Sequence, residues 1–319
     1  MGGFDLSMPI GITLTPPQAA LGDLGNTVDN VAGRARAAAA AGVRTAWLGQ
    51  RLDYDAIALA AVIGREVPEL TVGVSVLPIF TRHPLVAACA AQTAQAATHG
   101  RFRLGLGLGA AFVTEPTFGV AHQRPIARLR EYLAVLRSVF AAGAADHHGA
   151  ELTAASGSMA LAGAQPPVPL LVAAMAPQTL RVSGELADGI LPYLAAPTVL
   201  AGHIIPELAR AAQAAGRIRP RVVAFGPAAV VSDADGARDA VAGAMARYES
   251  VPSYRRVLDL AGVRAAAELA LLGDEQAVAA GLRRYREAGA DEVVLSILDV
   301  PETGAAERSR ALAGSVDLG

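Results

Sequence analysis

The sequence predicts a (β/α)₈ TIM barrel, an α/β fold in which eight parallel strands alternate with helices. Three observations carry the prediction. Apolar runs of strand length alternate with alanine-rich helical stretches, the runs are apolar throughout, and each connection is long enough to hold a helix. A strand that is apolar on both faces suits a sheet covered by helices, and parallel neighbours need a helix-length crossover. At 319 residues the chain has the size of one such barrel, so a single domain is expected over residues 1–319.

The first strand is read in "MPIGITLT" from Met8, followed by the helix "NTVDNVAGRARAAAAAG" closed by Gly42. "RTAWLG" and "DYDAIALAAVIGREV" give the second pair, with Asp55 placed to begin the helix. "LTVGVSVLP" is the third strand, a helix from Pro84 to Thr98 follows, and "RFRLGLGLG" is the fourth strand. The stretch "AAFVTEPTFGVAHQRP" is then expected to be an extended loop or lid, with Phe112, Val113, Phe118 and Val120 lining an apolar pocket or packing the lid. Pro125 opens the next helix, where a missing N–H costs nothing. Residues 145–168 read as an inserted hairpin.

"VPLLVAAM", "PQTLRVSGELA" and "DGILPYL" supply strand five, its helix and strand six. Pro206 is expected to kink or divide the helix that follows. "PRVVAFGPAAVVS" is strand seven, extra helical material follows, and "DEVVLSIL" is strand eight before a terminal helix around 301–313.

Composition removes several function classes. With 27 basic and 29 acidic side chains, a net charge of −2 gives no nucleic-acid footprint. The most uncharged helical stretch is interrupted by Gln92, Thr93, Gln95 and Thr98, so no membrane span is expected. Residues Met1–Ser7 carry neither a secretory pattern nor a convincing lipidation signal, and a cytoplasmic protein is expected. The lone Cys89 excludes an internal disulfide and is read as a small buried residue. Trp47, inside strand two, is read as core.

Barrel chemistry sits on the loops after the C-terminal ends of the strands. The candidates are therefore Gly49, Gln50 and Arg51 after strand two and Ser75, Val76 and Leu77 ending strand three. Gly107, Gly109, Ala110 and Ala111 follow strand four, and Ala174, Met175, Ala176, Pro177, Gln178 and Thr179 follow strand five. The glycines of "GLGLG" serve either packing or ligand approach and lack the dinucleotide spacing. Exposed amides at the helix start after strand five suit an anionic group, though an ordinary helix start reads the same. His83 and His122 are candidate proton-transfer or substrate-contact groups, weighed against a plain loop role. His147 and His148 are read as structural, and no metal motif is present. Arg128 is spaced to pair with Glu131, or with Arg124 about a shared anion.

Together, "AGVRTAWLGQ", "LTVGVSVLPIFTRHPLVAACAAQTAQ", "GRFRLGLGLG", "RPIARLREYLAVLRSVF", "VPLLVAAMAPQTLRVSGELADGILPYL" and "YREAGADEVVLS" resemble the bacterial luciferase-like oxidoreductases. The similarity is greater to the branch that uses coenzyme F420, a deazaflavin. The resemblance implies a cofactor ring at the C-terminal mouth, a bulge with a cis peptide at Ser75–Val76 under the ring, and Gly107–Ala111 along its border. It further implies phosphate binding at Ala174–Thr179, a substrate side at Gln50 and Arg51, and a homodimer. Sugar-phosphate dehydrogenase relatives carry Asp-His and Glu where this chain has Gln50–Arg51 and Ala110, which argues against that reaction. The implied activity is hydride transfer between F420 and a ketone, alcohol, activated alkene or imine. The alternatives are an FMN-dependent monooxygenase and an inactive metabolite-binding barrel.

Overall fold

The computed structural model describes residues 8–16 and 25–316, so the reading of Met1–Ser7 lies outside the described residues. Strands β1 (Ile10–Thr13), β2 (Thr45–Leu48) and β3 (Thr71–Pro78) alternate with helices α1 (Thr27–Ala40), α2 (Ala56–Glu66) and α3 (Pro84–Ala97). After β4 (Phe102–Gly107) come α4 (Ala111–Phe118), α5 (Pro125–Ala142) and the hairpin of β5 (Asp146–His148) and β6 (Thr153–Ala155). Next are β7 (Leu170–Val172), α6 (Pro177–Leu186), β8 (Gly189–Ile190), α7 (Pro197–Val199), α8 (Ile205–Ala214) and β9 (Arg221–Val230). The chain finishes with α9 (Ala234–Met245), α10 (Pro252–Ala261), β10 (Leu271–Gly273), α11 (Glu275–Glu287), β11 (Glu292–Ile297) and α12 (Ala305–Ser315).

The sheet runs β9-β11-β1-β2-β3-β4-β7-β8 and returns from β8 to β9, a closed barrel of eight parallel strands. The β5–β6 hairpin is a separate antiparallel pair, as expected. The short β10 lies outside the eight, pairing with β9, and was not anticipated. Its three residues, Leu-Leu-Gly, are too few to show a period.

Among the described residues, two compact units are distinguished. One comprises the chain up to Trp47, Pro192–Pro206 and everything from Arg221 onward. There the Trp47 ring meets Phe225 edge-on at 5.4 Å, and its indole N–H donates to the fully buried Glu292 carboxylate at 3.2 Å. Asn26, Asp233 and Asp274 cap α1, α9 and α11 with side-chain oxygens. Before Pro206, residues Leu200–Ile204 form a π-turn, with the Ile205 N–H reaching the Leu200 carbonyl. The predicted interruption at Pro206 thus takes the form of a wider helical turn just ahead of the residue that cannot donate.

The other unit comprises Leu48–Leu191 and Glu207–Pro220 and holds every candidate site residue. Its largest departure from expectation is α4, a helix where a loop was expected. No side chain caps its start, and Pro116 lies inside it, so neither helix signal is visible in the sequence. Gly119, at φ +66°, closes it by donating to the Glu115 carbonyl. Cys89 on α3 is exposed rather than buried. In a helix made almost wholly of small residues, the periodicity that separates inner from outer face is weak.

Candidate active site

The end of β2 is braced by its own loop. The Gln50 amide donates to the carbonyls of Arg51 (2.6 Å) and Tyr54 (2.7 Å) and accepts from the Ala56 N–H (3.1 Å). Arg51 is mostly buried, with Nε on the Asp53 carboxylate at 2.8 Å, and that hydrogen bond holds the Asp53 pKa below its ordinary value. Asp55 caps α2 through the amides of Ile57 and Ala58 and pairs with Arg82 from the β3–α3 loop. Burial pushes the Asp55 carboxyl up, but these amides and Arg82 outweigh it and leave it lowered.

At the end of β3 the pairing with β4 slips. Val74 aligns with Leu104 and Leu77 with Leu106, so Ser75 and Val76 together oppose Gly105. This is the bulge that the resemblance implied, and the Ser75–Val76 peptide is cis. The glycines opposite it are required for different reasons. A Cβ on Gly105 would lie 2.1 Å from the Val74 carbonyl oxygen, whereas one on Gly107 would lie 2.6 Å from a Val76 methyl. Gly109 is exposed at φ +73°, a conformation that favours glycine. Leu77 is buried, and Ser75 and Val76 are partly exposed.

Beyond β7, Ala174 is fully buried, Met175 and Ala176 are partly so, and Pro177 opens α6 with no side-chain cap. The first-turn amides of Gln178 and Thr179 precede the intrahelical bonding pattern, which begins with the Leu180 N–H on the Ala176 carbonyl. The Thr179 hydroxyl donates to that same carbonyl at 2.8 Å.

The histidines hold loops. His83 caps α3, accepting the Leu85 N–H on Nδ1 at 3.3 Å and donating from Nε2 to the Thr153 carbonyl at 3.0 Å. His122 lies 3.0 Å through Nε2 from the Leu108 carbonyl and stacks on Phe80 at 4.4 Å and 28°. His147 reaches Glu131 at 3.3 Å and His148 reaches Asp146 at 3.1 Å. Among the described residues, no cluster of three or more His, Cys, Asp or Glu is placed to hold a metal.

The arginine pairings differ from those the spacing offered. Glu131 accepts the amides of Ala150, Glu151 and Leu152 as well as His147, which pins the hairpin to α5. Arg124 pairs with Glu151 at 2.8 Å, and Arg128 lies over the Phe80 ring at 4.9 Å. Sequence reasoning passed over Phe80 and offered Glu131 only as a partner for Arg128, not as the anchor of the hairpin. Phe80 is a buried aromatic two residues past β3, a position that signals loop packing at the mouth. Of the α4 side chains, Phe112, Val113 and Phe118 are exposed rather than packed.

A parallel barrel with loops of this kind at its strand ends defines a class of enzyme scaffold. Residues 8–292 match the luciferase-like monooxygenase family, and the chain belongs to it. A protein of Mycobacterium tuberculosis, provisionally assigned as a coenzyme F420-dependent oxidoreductase, is 30% identical over 174 residues. That match covers 50% of this chain and 50% of the relative, so the chain spans about half the length of that relative. An F420-dependent secondary alcohol dehydrogenase in complex with an F420-acetone adduct superposes with a TM-score of 0.79 at 18% identity, over 97% of this chain and 100% of that one. The oxygenating constituent of 3,6-diketocamphane monooxygenase from Pseudomonas putida, in complex with FMN, gives 0.74 at 16% identity over 98% of each chain. At these identities the structural likeness is one of fold. The chain is thus a luciferase-like family member on a fold shared by F420-dependent and FMN-containing proteins. Among the described residues, no helix is long and apolar enough to cross a membrane.

Proposed function

We propose that this chain is a coenzyme F420-dependent oxidoreductase acting on a small or medium apolar substrate, with a ketone and its secondary alcohol as the leading pair. The observation that carries the reading is the cradle at the ends of β3 and β4. A two-residue bulge there opposes Gly105, and the absent Cβ of Gly107 leaves room for a Val76 methyl that it would otherwise meet at 2.6 Å. Such a cradle, built on glycines and the small Ser75 and Val76, suits a planar ring, and the amides of Gln178 and Thr179 at the start of α6 suit a phosphate. The F420-dependent relative favours the deazaflavin over FMN.

When bound, the deazaflavin supplies a carbon that donates or accepts hydride. The protein then has to align, exclude water and balance charge. Val76, Gly107, Gly109, Ala110 and Ala111 would border the ring, and the segment Met175–Thr179 would hold its anionic tail, with the buried Leu77 and Ala174 supporting them from beneath. Arg51, paired with Asp53 through Nε, would place a guanidinium near the charge that develops on a carbonyl oxygen. Gln50 has both ends of its amide engaged and acts by holding Arg51 and its loop. With both ring nitrogens of His83 engaged, the proton comes from solvent or from the substrate's own exchange. The exposed Phe112, Val113 and Phe118 favour an apolar substrate.

Paired calorimetric titrations of the apoprotein with F420 and FMN test the assignment, followed by turnover of reduced F420 with aliphatic and aromatic ketones. Saturable F420 binding with weak FMN binding and ketone-dependent oxidation of the reduced coenzyme is the expected result. Tight FMN binding with reduced-flavin-dependent oxygen consumption would move the chain to the monooxygenase reading. Binding of neither cofactor would leave a metabolite-binding barrel.

A further inference from the structure

We propose that His122 is a positioning residue for the loop after β4, held in place by Phe80 and Arg128, a role that rests on the cofactor reading above. The loop it holds has almost no means of fixing itself. Its residues are Leu108, Gly109, Ala110 and Ala111, of which Gly109 sits at φ +73° and Ala110 starts α4 without a side-chain cap. Backbone bonds secure both ends: the Ile79 N–H reaches the Gly107 carbonyl at 3.0 Å, and the Thr114 N–H reaches that of Ala110 at 2.8 Å. Between them, the Leu108 carbonyl is held by His122 Nε2 at 3.0 Å.

The ring that makes this bond is itself clamped. It stacks on Phe80 with centroids 4.4 Å apart, and the Arg128 guanidinium carbon lies 4.9 Å from the same phenyl centroid. Phe80 is 5% exposed and lies two residues past the end of β3, so the stack references the β4 loop to the strand that carries the bulge. The His122 backbone N–H donates to Glu115 at 2.9 Å, which ties the same residue to α4. An Nε2–H donor is present in the protonated ring and in one neutral tautomer, so holding the carbonyl requires no proton to leave. His122 thereby acts on the cofactor border through Leu108, and on the site through the loop's shape.

Two substitutions separate the hydrogen bond from the stack. His122→Phe keeps an aromatic ring on Phe80 and removes the donor, while His122→Gln keeps an N–H at comparable reach. For His122→Phe we expect F420 affinity to fall by about fivefold to tenfold, the effect of one hydrogen bond. Amide exchange over Gly109–Thr114 should quicken in the apoprotein while exchange elsewhere and the thermal midpoint stay near wild type. His122→Gln should restore most of the affinity and protection, with the wild-type pH profile of turnover. Wild-type affinity and exchange in His122→Phe would overturn the proposal, and so would a His122→Gln as impaired as His122→Phe. If the wild-type protein binds no cofactor, the assigned function fails. The exchange measurement still decides whether His122 holds the loop.

Discussion

Gly105 and Gly107 stand two residues apart on one strand, and alanine at each should fail in a different way. At Gly105 the new Cβ would sit 2.1 Å from the Val74 carbonyl oxygen and 2.5 Å from a Leu191 methyl. The carbonyl belongs to the backbone of the neighbouring strand, so relief requires β3 and β4 to part beside the bulge. Overpacking a tight core costs about 1–3 kcal/mol when side chains can give, and this site belongs at or above the top of that range. At Gly107 the nearest atom, at 2.6 Å, is the Val76 Cγ2 methyl. A side chain can turn, although a β-branched one turns reluctantly, and a cost of about 1–2 kcal/mol is expected. The penalty there falls on the proposed cofactor face. Denaturant unfolding of both variants, with and without F420, measures the two effects together with calorimetric affinity. Gly105→Ala should lose at least about 3 kcal/mol of stability. Gly107→Ala should lose less stability and about tenfold in affinity, which corresponds to about 1.4 kcal/mol. Equal stability losses with F420 affinity intact in Gly107→Ala would refute this division between packing and site.

Trp47→Phe should destabilise the protein by about 2–4 kcal/mol, because it leaves a void and takes the indole donor from the buried Glu292 carboxylate. Denaturant unfolding checks this, and a loss under about 1 kcal/mol would show that the bond contributes little. Tyr132 is fully buried, its hydroxyl has no partner among the described residues, and burial pushes its pKa well above the ordinary phenol value. Tyr132→Phe should therefore be neutral or stabilising by up to about 1 kcal/mol in the same assay, and a clear loss would reveal a bound water or ligand. Burial raises the Glu131 pKa, but His147 and the hairpin amides outweigh it and hold the carboxyl below its ordinary 4.5. Its contribution is whole above that value and is lost as the pH falls through the lower folded pKa. Amide protection of residues 150–152 should drop in that acidic window, and Glu131→Gln should weaken it at neutral pH.

How much could be read in advance follows from how local each signal is. Strand order, the Asp55 cap and the hairpin were legible because each depends on neighbouring residues and a fixed period. The α4 helix was not, since Pro116 and an uncapped start erase the local signs and the helix persists on its context. The exposure of Cys89 was hidden by an alanine-rich helix with nearly uniform faces. Most of the site's hydrogen bonding was invisible for a different reason. The His122–Phe80 stack, the His83 bond to Thr153 and the Glu131 bonds to the hairpin join residues that only the fold brings together. The bulge at Ser75–Val76 was placed by family resemblance, because nothing in a run of apolar residues marks where a register slips.

These hydrogen bonds also bear on the kind of catalyst this site can be. Several polar side chains at the ends of β2, β3, β4 and β7 hold loops. Gln50 braces one, Asp55 and His83 cap helices, His122 fixes a carbonyl and Thr179 bonds within its own turn. What they leave for a ligand includes backbone amides, apolar surface, the Ser75 and Gln178 side chains and an Arg51 guanidinium already paired with Asp53. A site of that make-up is poor in acids and bases and well suited to holding a flat partner in one orientation. Hydride transfer asks for that alignment more than for a proton donor of matched pKa. Replacing the acid-bearing positions with Gln50, Arg51 and Ala110 is therefore compatible with a working oxidoreductase, provided the reactive carbon arrives with the cofactor.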